Sequence, residues 1–344
     1  MKAFVLHGRE DLRSADLDQP APRTQQVIVK VRRTGICGSD MHYYLHGRVG
    51  KFVPNRPFVL GHEFAGEIVE LGDGVDRGLL GKRVAVDPSM PCTTCEFCRQ
   101  GRYNLCFSMR FYGSASCDPH LDGGLSEFVA VPAENCYELP NSVSWGAAAM
   151  IEPLSVAVHA LYRSGGVAGR SVLVTGGGPI GQLVALVAKA FGAAHVVLSD
   201  VADYQRQKAL EFGVAAVLDG SSASFEAQAT ELSHGGFEIA IEAAGAARAL
   251  QQALAVVRRG ATVVQVGTLP SEVTLPLNDV MTRELNLVGS FRFANVFRIA
   301  LGLVGSGRVN IEQCISAVLP LSATRTAMQR AIAKLDVIKV QVEP

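Results

Sequence analysis

Residues Ser171–Asp200 read SVLVTGGGPIGQLVALVAKAFGAAHVVLSD, and the succession of elements in that stretch decides the fold. Ser171–Thr175 is a short apolar run rich in β-branched residues, the pattern of a strand buried on both faces. Pro179–Phe191 is apolar almost all round, as a helix lying on a sheet is, and Gly192 supplies its stop. His195–Ser199 is a second strand. Between the first strand and the helix, Gly176, Gly178 and Gly181 fit G-x-G-x-x-G, with Pro179 and Ile180 at the variable positions. The string alone is weak. Directly after a strand and opening a helix, it predicts a dinucleotide-binding turn. The first glycine permits the bend, the second lets backbone approach a pyrophosphate, and the third lets helix and strand pack closely. The helix N-terminus favours the phosphate charge. Asp200 ends the next strand, nineteen residues after Gly181. A carboxylate there accepts hydrogen bonds from both ribose hydroxyls and repels a 2′-phosphate. NAD is therefore expected over NADP, with NADP possible because Arg206 follows one helical turn on. The competing reading is a glycine-rich turn of a flavodoxin-like or methyltransferase-like domain.

Outward from this stretch the alternation continues. A charged helix Asp203–Phe212 is ended by Gly213, and a strand Ala215–Leu218 follows. The strands Phe237–Glu242 and Thr262–Val266 flank a helix around Ala247–Arg258, and Val266 joins the candidate cofactor contacts. This rhythm predicts an α/β fold, a doubly wound parallel sheet with helices on both faces. From residue 1 to about 150 the pattern differs. AFVL, QVIVKVR, GEIVEL and RVAV are separated by Gly, Pro and Asp turns, which predicts a mostly antiparallel, irregular β domain. From 288 to 344 the pattern turns irregular again. That tail is expected to rejoin the first domain, giving 1–150 plus 288–344 as one domain and 151–287 as an insertion.

The length of 344 residues suits two domains, and 48% apolar against 19% charged residues suits sizeable cores. A formal net charge of zero leaves no electrostatic footprint for nucleic acid or an acidic membrane. The most apolar stretch is broken by Lys189, Gly192 and His195, short of a membrane span. The N-terminal MKAFVLHGRE lacks the pattern of a signal peptide, so none is expected. A soluble cytoplasmic protein is expected.

Cys92, Cys95, Cys98 and Cys106 lie at C-x2-C-x2-C-x7-C spacing. Four thiols in so short a loop can enclose one tetrahedral zinc, a closed structural site with no open position for substrate. A disulfide framework does not suit a reducing compartment. An iron–sulfur ligand run is disfavoured by the late fourth cysteine. A nucleic-acid-binding ribbon lacks basic charge, with only Arg99 and Arg102 against Glu96. A second metal site is sought in Cys37, in the pair His62-Glu63 and in Glu152, all flanked by glycine or proline. Catalytic zinc needs three protein ligands and an open fourth position.

At these residues the chain resembles the zinc-containing medium-chain dehydrogenases over nearly its whole length. The matching strings are GICGSDMHYY, VLGHEFAGEIVELG, the four-cysteine lobe at about 90–108, IEPLSVAVHA, GGGPIG and VVLSD. EPLSVAVHA and HYYLHGRVG are similar to the polyol branch that includes sorbitol dehydrogenases. MRFYGSASCDPHLDGG and GSFRF are similar to its L-idonate-oxidising members. The resemblance implies a Rossmann sheet inserted in a GroES-like β domain, two zinc ions per subunit, a homotetramer and a sugar acid or polyol as substrate. It makes Cys37 and His62 catalytic zinc ligands, with Glu63 or Glu152 the third. A carboxylate in place of thiolate gives a harder site that suits a substrate chelating through two oxygens. Ser39 matches a hydroxyl that relays the alcohol proton. Tyr43 and Arg292 match substrate-pocket residues. Arg110 and His120 are further candidates, because an aldonate carboxylate calls for a cation. The implied reaction is reversible oxidation of L-idonate to 5-keto-D-gluconate. The rivals are a sorbitol- or xylitol-type dehydrogenase and a non-catalytic zinc-bearing NAD-binding protein.

Overall fold

The structure, a computed structural model, describes residues Met1–Pro344. The chain divides into two compact units, Met1–Glu152 with Phe297–Pro344, and Pro153–Val296.

The first unit is built on a seven-stranded, largely antiparallel sheet. In spatial order it runs Cys136–Glu138, Arg83–Val86, Glu63–Leu71, Gln26–Gly35, Lys339–Glu343, Ile315–Pro320, with Phe128–Pro132 also paired to Gln26–Gly35. Its core is apolar: Val27, Val29, Val31, Phe64, Ile68, Val84, Val86 and Val131 are all buried. A smaller three-stranded sheet places Lys2–Gly8 between Asp11–Asp16 and Phe58–Val59. The two ends of the chain meet in the large sheet, where Gln341 pairs with Gly35 and Val342 with Thr34.

The second unit is a six-stranded parallel sheet in the order Ala216–Asp219, His195–Asp200, Ser171–Thr175, Phe237–Glu242, Val257–Gln265, Asn286–Gly289. Strand order reverses between Ser171–Thr175 and Phe237–Glu242, so the third and fourth strands in space are neighbours although the chain leaves the first in one direction and returns in the other. The helix Pro179–Ala190 covers the sheet and buries every residue from Gly181 to Ala188, as its all-round apolar sequence requires.

The expected crossing back at 288 is corrected. Residue 288 lies inside the edge strand Asn286–Gly289, where Val264 pairs with Val288. These residues extend the parallel sheet, and the chain leaves the unit only after Val296. Among the helices that were not foreseen are Phe225–Leu232 and Ile151–Arg163. No helix is long and apolar enough to cross a membrane.

Candidate metal centres and dinucleotide site

Cys37 caps the helix Gly38–His46 from an extended conformation, φ −96° and ψ 159°. Its backbone N–H donates to Asp40 Oδ2 at 2.9 Å, a capping arrangement that fixes the turn carrying the thiol. His62 and Glu63 arrive at the start of the strand Glu63–Leu71, in register with Gly35. Only glycine fits at position 35, because a Cβ there would overlap the Glu63 carboxylate. The ligand atoms of Cys37, His62 and Glu63 all lie within 4.8 Å of one another. Glu152 sits buried in the first turn of the helix Ile151–Arg163. Its electrostatic neighbours are His62, Glu63, Cys37 and Lys339, so it faces the same cluster.

Two residues that sequence reading missed complete this centre. Asp40, fully buried, accepts from Cys37 and Gly61, and its Oδ1 lies 3.7 Å from His62 Nδ1. That gap is too long for a hydrogen bond, and the buried His62 Nδ1 has no hydrogen-bond partner, so Asp40 stands behind the imidazole as a neighbouring carboxylate. Lys339 is 2% exposed, and its Nζ lies 2.7 Å from both oxygens of Glu63. It also donates to the Ile36 carbonyl at 3.1 Å. No local motif marks either residue; Lys339 reaches Glu63 across 276 positions of sequence.

The electrostatics fit a cation. Burial, then the Glu63 charge, pushes the Cys37 thiol up to about 12. Burial, followed by Glu63 and Cys37 against the pull of His62, holds Glu152 well above the usual carboxylate range. Asp40 is raised by burial as well. One lysine against so many acidic groups leaves a centre short of positive charge, and a thiolate, an imidazole and a carboxylate are a donor set for zinc. Ser39 lies two residues after Cys37, partly exposed, and its backbone N–H points at the Cys37 sulfur.

The four-cysteine lobe is a separate cluster. The sulfurs of Cys92, Cys95, Cys98 and Cys106 also lie within 4.8 Å of one another. Cys95 and Cys98 are 3.5 Å apart and Cys92 and Cys98 4.0 Å. Tetrahedral zinc with bonds of about 2.3 Å places sulfurs about 3.8 Å apart, so the spacing fits. Backbone N–H groups of Thr94 and Cys95 draw Cys92 down to about 6, while desolvation and the neighbouring sulfurs push Cys98 up to about 12. The root of the lobe is pinned by Asn135, whose amide donates to the carbonyls of Asp87 and Ser89 at 2.7 and 2.8 Å.

In the second unit the glycine turn has the expected form. Gly176 has φ +101° and packs against Ala244, and a Cβ on Gly181 would strike the Gly176 carbonyl. Gly178 faces open space at the N-cap of the helix that Pro179 and Ile180 begin. Asp200 accepts from Gly177 N at 2.6 Å and Ala202 N at 2.8 Å, so its carboxylate is locked beside the turn. Arg206 is turned inward. It donates to the carbonyls of Asp200 and Val201 and pairs with Asp203 at 3.2 Å and Asp219 at 3.5 Å. Val266 follows the strand Val257–Gln265, its N–H bonded to the Glu242 carbonyl.

The four candidate substrate residues are held in different ways. Tyr43 is buried in the core, and its hydroxyl meets Ser114 Oγ and the Ala115 N–H at 3.2 and 3.0 Å. His120 accepts at Nε2 from Asn55 N and engages the Cys117 carbonyl at Nδ1. Both ring nitrogens are spent on holding the 117–120 segment, which corrects the expectation of a free cation there. Arg110 lies on the hairpin Ser89–Met90 with Arg110–Phe111. Its buried Nε makes no hydrogen bond, and its neighbour Phe111 packs on the His62 ring at 5.7 Å. Arg292 belongs to the other unit, with φ +52° and its guanidinium 5.0 Å from the Phe291 ring centre.

Comparison with known proteins agrees with this layout. The family of the alcohol dehydrogenase GroES-like domain matches residues 23–141, and that of the zinc-binding dehydrogenases matches residues 179–306. The chain belongs to the zinc-dependent medium-chain dehydrogenases, oxidoreductases in which a Rossmann sheet is inserted in a GroES-like domain. Within that family it falls with the polyol dehydrogenases. Sorbitol dehydrogenase of Bacillus subtilis is 37% identical over 100% of this chain and 97% of its own length. The crystal structure of L-idonate 5-dehydrogenase from Escherichia coli K-12 superposes with a TM-score of 0.91 at 32% identity, covering 100% of this chain and 98% of that one. A zinc-binding dehydrogenase from Sinorhizobium meliloti 1021, solved with NADP bound, gives 0.92 at 35% identity over 100% and 99%.

Proposed function

We propose that this protein oxidises a secondary alcohol of a sugar acid to a ketone, reversibly, with L-idonate and 5-keto-D-gluconate as the pair. The observation that carries the reading is the Cys37–His62–Glu63 cluster, a donor set with Glu152 beside it and no fourth protein ligand closing it. Zinc held there by Cys37, His62 and Glu63 would supply the Lewis acidity that makes an alcohol proton labile, and a nicotinamide cofactor would supply the hydride chemistry. The chain's own residues do the rest. Asp40 holds the backbone of Cys37 and Gly61 and so sets the segments that carry Cys37 and His62. Lys339 holds the Glu63 carboxylate while leaving lone pairs on both oxygens. Ser39, partly exposed in the turn that carries Cys37, takes the alcohol proton outward. Glu63 is the third ligand in this reading, with Glu152 close enough in charge to exchange with it. The lobe of Cys92, Cys95, Cys98 and Cys106 holds the second zinc.

The inward pairing of Arg206 with Asp203 and Asp219, and the locked Asp200, support NAD over NADP. The free Nε of Arg110, on the hairpin that carries Phe111 against His62, supports an anionic substrate. The exposed edge strand Asn286–Gly289 supports assembly through an extended sheet, and we place the enzyme in the cytoplasm as a homotetramer. A neutral polyol such as sorbitol or xylitol is the alternative, favoured by the sorbitol dehydrogenase likeness. Steady-state rates on L-idonate, sorbitol and xylitol with each cofactor decide between them. Turnover of sorbitol without turnover of L-idonate would sink the first choice.

A further inference from the structure

Three loop segments meet at the carboxyl ends of the second unit's strands, and one residue, through its side chain and its carbonyl, ties two of them together. Glu242 ends the strand Phe237–Glu242 and is fully buried. Its carbonyl accepts from Val266 N at 2.8 Å and Gly267 N at 3.0 Å. Its carboxylate Oε1 accepts from Gly245 N at 2.6 Å and Ala246 N at 3.4 Å. One residue thus fixes both the loop that follows its own strand and the loop that follows Val257–Gln265. Gly176, in the turn after Ser171–Thr175, packs against Ala244 of the first of these loops.

The place is the topological switch point. Thr175 and Glu242 are register partners on the two strands between which the order reverses. Registered residues of neighbouring strands point to the same face. Thr175 Oγ1 and Glu242 Oε2 are both buried and neither has a hydrogen-bond partner. Leaving a buried hydroxyl and a buried carboxylate oxygen unbonded is costly, and residues kept only for packing rarely carry it. Dinucleotides bind across such a crevice, outside the carboxyl ends of the strands. Asp200 marks the ribose of one half, on the strand beyond the glycine turn, and the turn itself marks the pyrophosphate. An extended dinucleotide must then lay its other half over the ends of Phe237–Glu242 and Val257–Gln265.

We propose that Glu242 is the positioning residue for the nicotinamide half of the cofactor, setting the loops Ala243–Ala246 and Val266–Gly267 on which that half rests. This rests on the reading that the unit binds a nicotinamide dinucleotide. It predicts an effect confined to one half of the ligand. Glu242→Gln keeps the shape and removes the charged acceptor. NADH affinity, read from nicotinamide fluorescence, should fall about tenfold, as loss of one charge-assisted hydrogen bond implies. AMP affinity, read by calorimetry, should change by less than about twofold, since AMP uses only Asp200 and the turn. KM for NAD should rise more than kcat falls. Equal weakening of NADH and AMP would mean a general structural role and overturn the proposal. So would an unchanged NADH affinity in a native protein that binds NADH well. A native protein that binds neither NADH nor NADPH overturns the nucleotide reading itself, and this proposal with it. Should Glu242→Gln fail to fold, Glu242→Asp keeps a carboxylate one methylene short of Gly245 and takes the same two titrations.

Discussion

The two cysteine-bearing centres of the first unit share a chemistry and differ in how they are made. The four-cysteine lobe closes within fifteen consecutive residues, and its sulfurs approach one another through local turns. The other centre draws Cys37 from a helix cap, His62 and Glu63 from a strand start, Glu152 from a later helix and Lys339 from the strand Lys339–Glu343. The first is closed by its own ligands and the second is held open by the fold. A local site can be stable alone, whereas a long-range site inherits its geometry from the sheet around it.

The largest test of that contrast is a pair of serine substitutions. Cys37→Ser should cut turnover by about a thousandfold or more, because metal Lewis acidity supplies several kcal/mol of transition-state stabilisation. Its melting temperature should stay close to native. Cys98→Ser should do the reverse, lowering stability by ~4 kcal/mol or more through loss of the lobe's metal. The fraction that remains folded should turn over nearly normally. Thermal melts, zinc content and steady-state rates on both variants check this, and an unfolded Cys37→Ser beside a stable Cys98→Ser would mean the two centres had been exchanged.

Lys339→Met sharpens the comparison from the other side. It strips the buried Glu63 carboxylate of its partner, which costs about 3–5 kcal/mol. Zinc should restore part of that loss in the variant, since a dication would then face Glu63. Denaturant melts of stripped and zinc-loaded protein measure it. No restoration by zinc would remove Glu63 from the ligand set.

The smallest effect falls at the root of the lobe. Asp87 is buried, and desolvation raises it to about 6 from the usual 3.8, against hydrogen bonds from Ser89. A carboxyl whose folded pKa is raised favours its protonated form in the folded state. Its contribution is therefore full at low pH and is lost as pH rises from about 4 through about 6. Asp87→Asn removes that loss. Relative to native, the variant should gain about 1–3 kcal/mol between pH 4 and pH 7.5. A flat difference across that range in chemical denaturation would show Asp87 stays ionised.

What was legible in the sequence follows the same division. The lobe, the glycine turn and Asp200 were readable because each depends on residues close in sequence, where spacing alone sets geometry. The boundary at 288 fell inside the edge strand Asn286–Gly289, and nothing local in the stretch that follows marks Val296 as the place where the unit ends. His120 looked like a free cation because nothing in CDPH shows that the Asn55 N–H, far along the chain, already occupies its ring. Asp40 sits inside the quoted CGSD string yet carries no mark of its role. Lys339 and Glu242 gain theirs only when strands pair, so no local pattern announces them.

The pairing of the chain's two ends in one sheet has a consequence in time. Glu63 waits for Lys339 across 276 positions, which at about 5–20 residues per second is roughly 15–55 s of synthesis. On the ribosome, the four-cysteine lobe has all its ligands as soon as it emerges, and residues 153–296 can fold as a unit before the final strand exists. The centre around Cys37 cannot be completed until that strand arrives. A chain stalled short of residue 339 would carry all four cysteines of the lobe, and a Glu63 still without its lysine partner.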